Sequence, residues 1–153
     1  MKPTRTMLRC AAIPVIAALF LAGPLYAAKD DAPTPKEYGV YVKTTAKLVR
    51  LLPNIVFDAR IPYVESNNPA HFPLKDIKYF VMYGNRQMQY LTLNNLVPIG
   101  ETVGKLRFMF GREVAAEVKK RSDVLYEVQP KGLFGRGYYA LWINDSAWDF
   151  IVE

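Results

Sequence analysis

One histidine, three serines and a scatter of carboxylates are what this chain offers for reaction chemistry. His71 could act as a general base or a metal ligand only beside a nucleophile or two further ligands. Asp58, Glu65 and Asp76 lie near it in sequence, but no H-x-H or H-E-x-x-H spacing is present. A serine nucleophile would have to draw on the same histidine, and none of Ser66, Ser122 and Ser146 sits in a G-x-S-x-G turn. A pair of carboxylates could cleave a glycosidic bond without histidine. However, Asp30 and Asp31 fall in a polar tail, and Asp145 and Asp149 read as turn and strand-edge residues. Gly100, Gly104 and Gly111 do not make a phosphate loop. The residues predict a protein that is not an enzyme, with no cofactor and no metal.

Recognition is the better use of this composition. Asp58 to Leu74 (DARIPYVESNNPAHFPL) carries three prolines and the Asn67-Asn68-Pro69 turn signal. It is expected to be an irregular surface loop, with a brief strand at Tyr63-Val64. Tyr63, Asn67, Asn68, His71 and Phe72 are its candidate partner-binding residues, since long ordered loops often carry function. An open sheet edge is the other place where a partner could attach. Trp142 and Trp148 belong either to the core or, if both face solvent on one side, to a platform for stacking on sugars. Lys119-Lys120-Arg121 is a basic run without interleaved aromatics and reads as a solvated face, so nucleic acid is not an expected partner.

These residues need a scaffold, and the pattern points to strands. Apolar and β-branched runs stand at 38–43, 47–52, 55–57, 77–83, 88–93, 105–110, 124–129, 138–144 and 147–152, separated by turn residues. Thr44-Thr45-Ala46 should join the first two runs as a hairpin. Gly84-Asn85 should turn a second one between 77–83 and 88–93. Arg112 to Arg121 is expected to form a short helix, because Val114 and Val118 stand four apart among good helix formers; a polar strand is the alternative. The last thirty-odd residues organise the rest. Three strands follow one another there, and the final two, YYALWIN and AWDFIVE, carry large apolar residues on both faces, so both faces should be covered. The expected fold is all-β, a single antiparallel β-sandwich of about seven or eight strands.

Leu133 and Tyr139, with glycines at 135 and 137, resemble the tyrosine corner of immunoglobulin and fibronectin type III domains. In that motif a leucine packs under a turn and the tyrosine bonds back to the backbone. The usual proline is missing, and Tyr138 is an alternative corner residue. The resemblance covers about ten residues and implies a sandwich architecture, without implying an activity.

The N-terminus reads as an export signal: Lys2, Arg5 and Arg9, an uncharged apolar run from Ala11 to Ala22, then Gly23-Pro24 and small residues ending at Ala27-Ala28. Residues 1–27 are expected to be a signal peptide, 28–37 a flexible lead-in and 38–153 the β-domain. Contact with a membrane would come only through an uncleaved signal. Cys10, the single cysteine, precedes the apolar run, so the domain would hold no thiol. The formal charge of +6 falls to +3 once three basic residues leave with the signal, too little for a nucleic-acid footprint. The sequence therefore predicts a periplasmic or secreted, non-catalytic binding or accessory protein of the bacterial cell envelope. Its partner would be a protein or envelope component. Alternatives are a carbohydrate-binding module using exposed Trp or Tyr, and a small hydrolase built on His71 or a carboxylate pair.

Overall fold

The computed structural model describes residues 33–66, 68–84 and 86–153. The expected signal peptide, the start of the lead-in, Asn67 and Asn85 lie outside the described residues. Among the described residues twelve strands follow one another: β1 (Gly39–Thr44), β2 (Leu48–Leu51), β3 (Asn54–Phe57), β4 (Tyr63–Ser66), β5 (Ala70–Phe72), β6 (Ile77–Tyr83), β7 (Thr92–Thr102), β8 (Lys105–Glu113), β9 (Ala116–Lys120), β10 (Leu125–Pro130), β11 (Gly137–Ile143) and β12 (Ser146–Val152). Two single 3-10 turns, Leu74–Asp76 and Met88–Tyr90, are the helical segments among the described residues. None of these is long and apolar enough to cross a membrane.

The all-β class and the antiparallel sheets are as the sequence predicts, but the arrangement is not two open layers. One sheet is five-stranded, in the order β2-β1-β6-β10-β9. The other runs β11-β7-β8-β4-β3-β12-β5, and β11 also pairs with β12, so six of its strands close into a ring with β5 attached outside, parallel to β12. Closure removes edges that an open sheet would expose. Val56, Val64, Leu96, Phe108, Ala140 and Ala147 pack together, one from each strand of the ring, and fill its interior. The opposite faces of β11 and β12, through Tyr139, Leu141, Ile143, Trp148, Phe150 and Val152, join Val40, Val42, Phe80, Met82 and Val128 of the five-stranded sheet in the larger core.

The terminal hairpin is thus buried on both sides, as its sequence requires. Its seven cross-strand pairs run from Gly137↔Val152 to Ile143↔Ser146. The turn is Asn144-Asp145, one residue earlier than expected, with Asn144 at φ 52°. Tyr139 Oη accepts the backbone N–H of Gly135 at 3.2 Å, the bond that a tyrosine corner makes. Leu133 does not pack beneath it, being 77% exposed. Phe134 lies against Tyr139 instead, with ring centroids 4.8 Å apart.

Three expectations are corrected. Residues 112–121 are not helical: they complete β8 and form β9, the polar strand. Val114 is buried in the main core, while Val118 pairs with Val128 on the outermost strand of its sheet and is 42% exposed. Gly84-Asn85 does not turn a hairpin. β6 already has β1 and β10 on its two sides, and the chain leaves it through the Met88–Tyr90 turn to enter the other sheet as β7. A strand buried on both faces at Phe80, Val81 and Met82 takes the centre of its sheet, where both edges are occupied. Nor do the last three strands form one meander, because β10 pairs with β6 and β9 and lies in the sheet opposite β11. By contrast, β1 and β2 form the expected hairpin, closed by Thr44 N–H to the Lys47 carbonyl at 2.9 Å.

Phe150 is 1% exposed and meets the rings of Phe72, Phe80, Phe134 and Tyr139. Phe150→Ala should cost about 3–5 kcal/mol in urea unfolding. Ile55→Ala, at a side chain 71% exposed on the ring's outside, should stay within roughly 0.5 kcal/mol. Equal costs would mean that the hairpin does not carry the core.

Candidate functional site

The 58–74 stretch is more ordered than its prolines imply. Among the described residues, 58–62, 68–69 and Pro73 lie outside regular elements; Tyr63–Ser66 pairs with β3 and β8, and Ala70–Phe72 pairs with β12. This splits the predicted binding residues. Tyr63 lies on the outside of the ring, stacked on Phe57 at 4.9 Å with the Arg107 guanidinium over its other side at 5.2 Å. Phe72 is a core residue, 4% exposed, and is unavailable to a partner. Asn67 lies outside the described residues. Asn68, at φ 58°, and His71 remain at the surface, and each lines a cleft.

The larger cleft, of about 520 Å³, is walled by Arg50 to Asn54 on one side and by Asn68, Pro69 and Ala70 on the other, with Glu65, Lys105 and Asp149 completing it. The smaller one, of about 330 Å³, is walled by Thr44 to Lys47 and Val49 facing Ala70, His71, Phe72, Pro73 and Asp76. Ala70 lines both, so the two clefts adjoin, and together they are called the trough between β2 and β5. Both strands are the last in their sheets.

Asp149 is the residue that sequence reasoning missed. It is neither at a strand edge nor exposed: it sits mid-way along β12, 6% exposed. There β12 changes partners, pairing with β3 at Ser146 and Ala147 and with β5 from Phe150 onward. Ser66 Oγ–H donates to one carboxyl oxygen and Asn54 Nδ2–H to the other, tying the end of β4 and the start of β3 to β12. Desolvation pushes its pKa above the ordinary aspartate value, opposed by the bonds from Ser66, from its own backbone and from Asn54. The available signal was one acid inside AWDFIV, a run whose neighbours are buried on both faces.

Several other polar groups have structural occupations. His71 Nδ1 meets Glu153 Oε1 at 2.5 Å, with both side chains more than half exposed, a surface pair of small energetic worth. Ser146 Oγ–H donates to Asp145, and Ser122 Oγ accepts from Val124 N–H. Lys119 and Lys120 of the basic run face Glu117 and Asp123, and Arg121 pairs with Glu127. Trp148 is 2% exposed beneath Arg86, whereas Trp142 stacks on Phe110 at 4.1 Å on the ring's inner side. The two tryptophans point to opposite faces of the hairpin, which removes the two-tryptophan sugar platform. Among the described residues, no three His, Cys, Asp or Glu side chains converge as a metal site.

What the fold and site define is an antiparallel all-β protein, part closed ring and part open sheet, with a trough where the two free edges meet. Compared with protein-family models, curated proteins and solved structures, the chain matches none.

The raised pKa of Asp149 has a definite sign. The folded state holds this proton more tightly than the unfolded chain, so its contribution to stability is full below the unfolded value and lost as pH rises through the folded one. Asp149→Asn cannot titrate there. The stability of the wild type minus that of Asp149→Asn should therefore fall as pH rises from about 3.5 to 7, measured by urea unfolding. A difference that rises over this range would place the carboxyl pKa below its ordinary value.

Proposed function

We propose that this is a non-catalytic binding or accessory protein of the bacterial cell envelope, periplasmic or secreted, which takes its partner in the trough between β2 and β5. The five-stranded sheet laid against one wall of the ring is read as a sandwich-like scaffold for that trough. One observation carries the reading: part of the 58–74 stretch expected to meet a partner, residues 68–72, lines both clefts, with Asn68 in one, His71 in the other and Ala70 in each. Functional segments held by a rigid scaffold are the usual arrangement in binding proteins. Asp149 serves here as the clasp that fixes β3, β4 and β12 beneath the trough. Its two oxygens are already occupied by Ser66 and Asn54, which leaves it a positioning group rather than a reagent.

Removing residues 67–71 would also remove two of the three residues of β5, so the discriminating change is one side chain. Ala70→Arg places a long charged group in both clefts. It should lower capture of the envelope partner by about tenfold or more; because Ala70 is half-buried against the core, urea unfolding and circular dichroism check that the variant is folded. Undiminished capture by a folded Ala70→Arg protein would remove the trough from consideration. Ala70→Ser, which keeps the trough open, should capture like wild type.

A further inference from the structure

We propose that the trough binds an extended peptide segment with an acidic residue near each end, added as a strand along the free edge of β2; this rests on the trough being the binding site. A terminal strand presents a row of unpaired backbone N–H and C=O groups, and such edges are ordinarily blunted by charge or covered. The three terminal strands here differ in that respect. β9 is blunted: its Glu117 pairs with Lys119 and Lys131, and Lys120 pairs with Asp123. β5 is three residues long and ends at Pro73. β2 has no such protection. Its one charged residue, Arg50, is drawn away to the Glu37 carboxylate at 2.6 Å and to the Tyr38 carbonyl at 3.1 Å.

The walls specify the occupant. Lys47 and Val49 line one end of the trough and Arg50 through Pro53 the other, so nearly the whole length of β2 faces it. At about 3.3 Å per residue this accommodates a strand of roughly six or seven residues. Ala70 faces both ends and leaves room for side chains projecting from such a strand. The trough's cations and acids are unequally engaged. Glu65 is paired with Arg107, Arg50 with Glu37, Asp149 is held by Ser66 and Asn54, and Asp76 accepts from the Thr45 hydroxyl at 3.4 Å. The side-chain ammonium groups of Lys47 at one end and Lys105 at the other have no hydrogen-bond or ion-pair partner among the described residues. A peptide with acids at both ends and β-branched residues between them complements both the charges and the backbone edge.

The test uses the full chain and a synthetic acetyl-Asp-Val-Thr-Val-Thr-Val-Glu-amide, read by fluorescence anisotropy and amide hydrogen exchange. Saturable binding is expected, with alternate amides of Leu48–Leu51 gaining about tenfold protection or more. N-methylating the peptide backbone on the edge-facing set of residues should weaken binding about tenfold, methylating the other set should not, and replacing both acids by lysine should also weaken it. The proposal is overturned by absence of saturable binding, by equal affinity of the two methylated peptides, or by protection confined to β9 or to the Tyr63 face. Protection of β2 that grows with protein concentration and no peptide would mean that a second copy occupies the edge, which overturns it too. The trough itself is judged separately. If Ala70→Arg loses partner capture and the β2 amides still gain no protection, strand addition fails alone; if Ala70→Arg captures fully, both fail.

Discussion

The structure depends on one constraint: β11 and β12 carry apolar side chains on both faces, so water must be excluded from both. Ala140 and Ala147 turn into the ring, while Leu141, Trp148 and Phe150 turn toward the five-stranded sheet. Covering one face requires β7, β8, β4 and β3 to curl round until the sheet meets itself. Covering the other requires a second sheet. A closed ring beside an open sheet is the arrangement that satisfies both demands with one hairpin, because the hairpin is wall to the ring and floor to the outer layer. On the ring side Ala140 stands at the middle of β11 with Tyr138 and Trp142 toward its ends, and Ala147 is paired with Trp142, since a six-stranded ring has little room at its centre.

Closure has a weak point, and the polar chemistry is concentrated there. β3 is joined to β12 by two residue pairs and to β4 by two. The gap in backbone pairing along β12 is bridged by side chains, with Asp149 holding Asn54 and Ser66. A buried carboxyl is costly unless hydrogen-bonded, and its two donors come from the two strands that need fastening. The same discontinuity leaves β5 attached outside the ring and opens the trough opposite β2. Structural repair and candidate binding surface thus share an origin in the partner change of β12.

Much of the scaffold could be read locally. The runs at β1, β2, β3, β6, β8, β11 and β12 follow from alternation and β-branched content, and the burial of the last hairpin follows from its doubly apolar composition. Tyr139 found the backbone bond that its spacing from Gly135 allows. Failures occurred where a local signal had a non-local competitor. Gly84-Asn85 has turn chemistry, but β6 is central and its neighbours were already fixed. Val114 and Val118 stand at helical spacing, yet pairing with β10 and burial in the core outweigh propensity over so short a segment. The prolines of 58–74 mark the segment's ends and turns rather than the absence of strands.

The site was legible in part for the same reason. His71 and Asn68 are exposed beside turn residues and could be picked out as surface groups; Phe72 could not be told from them, because one residue along a strand reverses the face. Asp149, Lys47, Lys105 and Ala70 carry no motif, and their significance arises only when β2 and β5 are brought side by side from different sheets. By itself the sequence determined strand content, the doubly buried hairpin and the lack of a recognisable catalytic spacing, since these depend on residue type and near neighbours. Only the tertiary structure decided that the sheet closes, that two free edges face each other and that a buried acid fastens the seam, because each depends on pairings between residues far apart in the chain, which local chemistry leaves open.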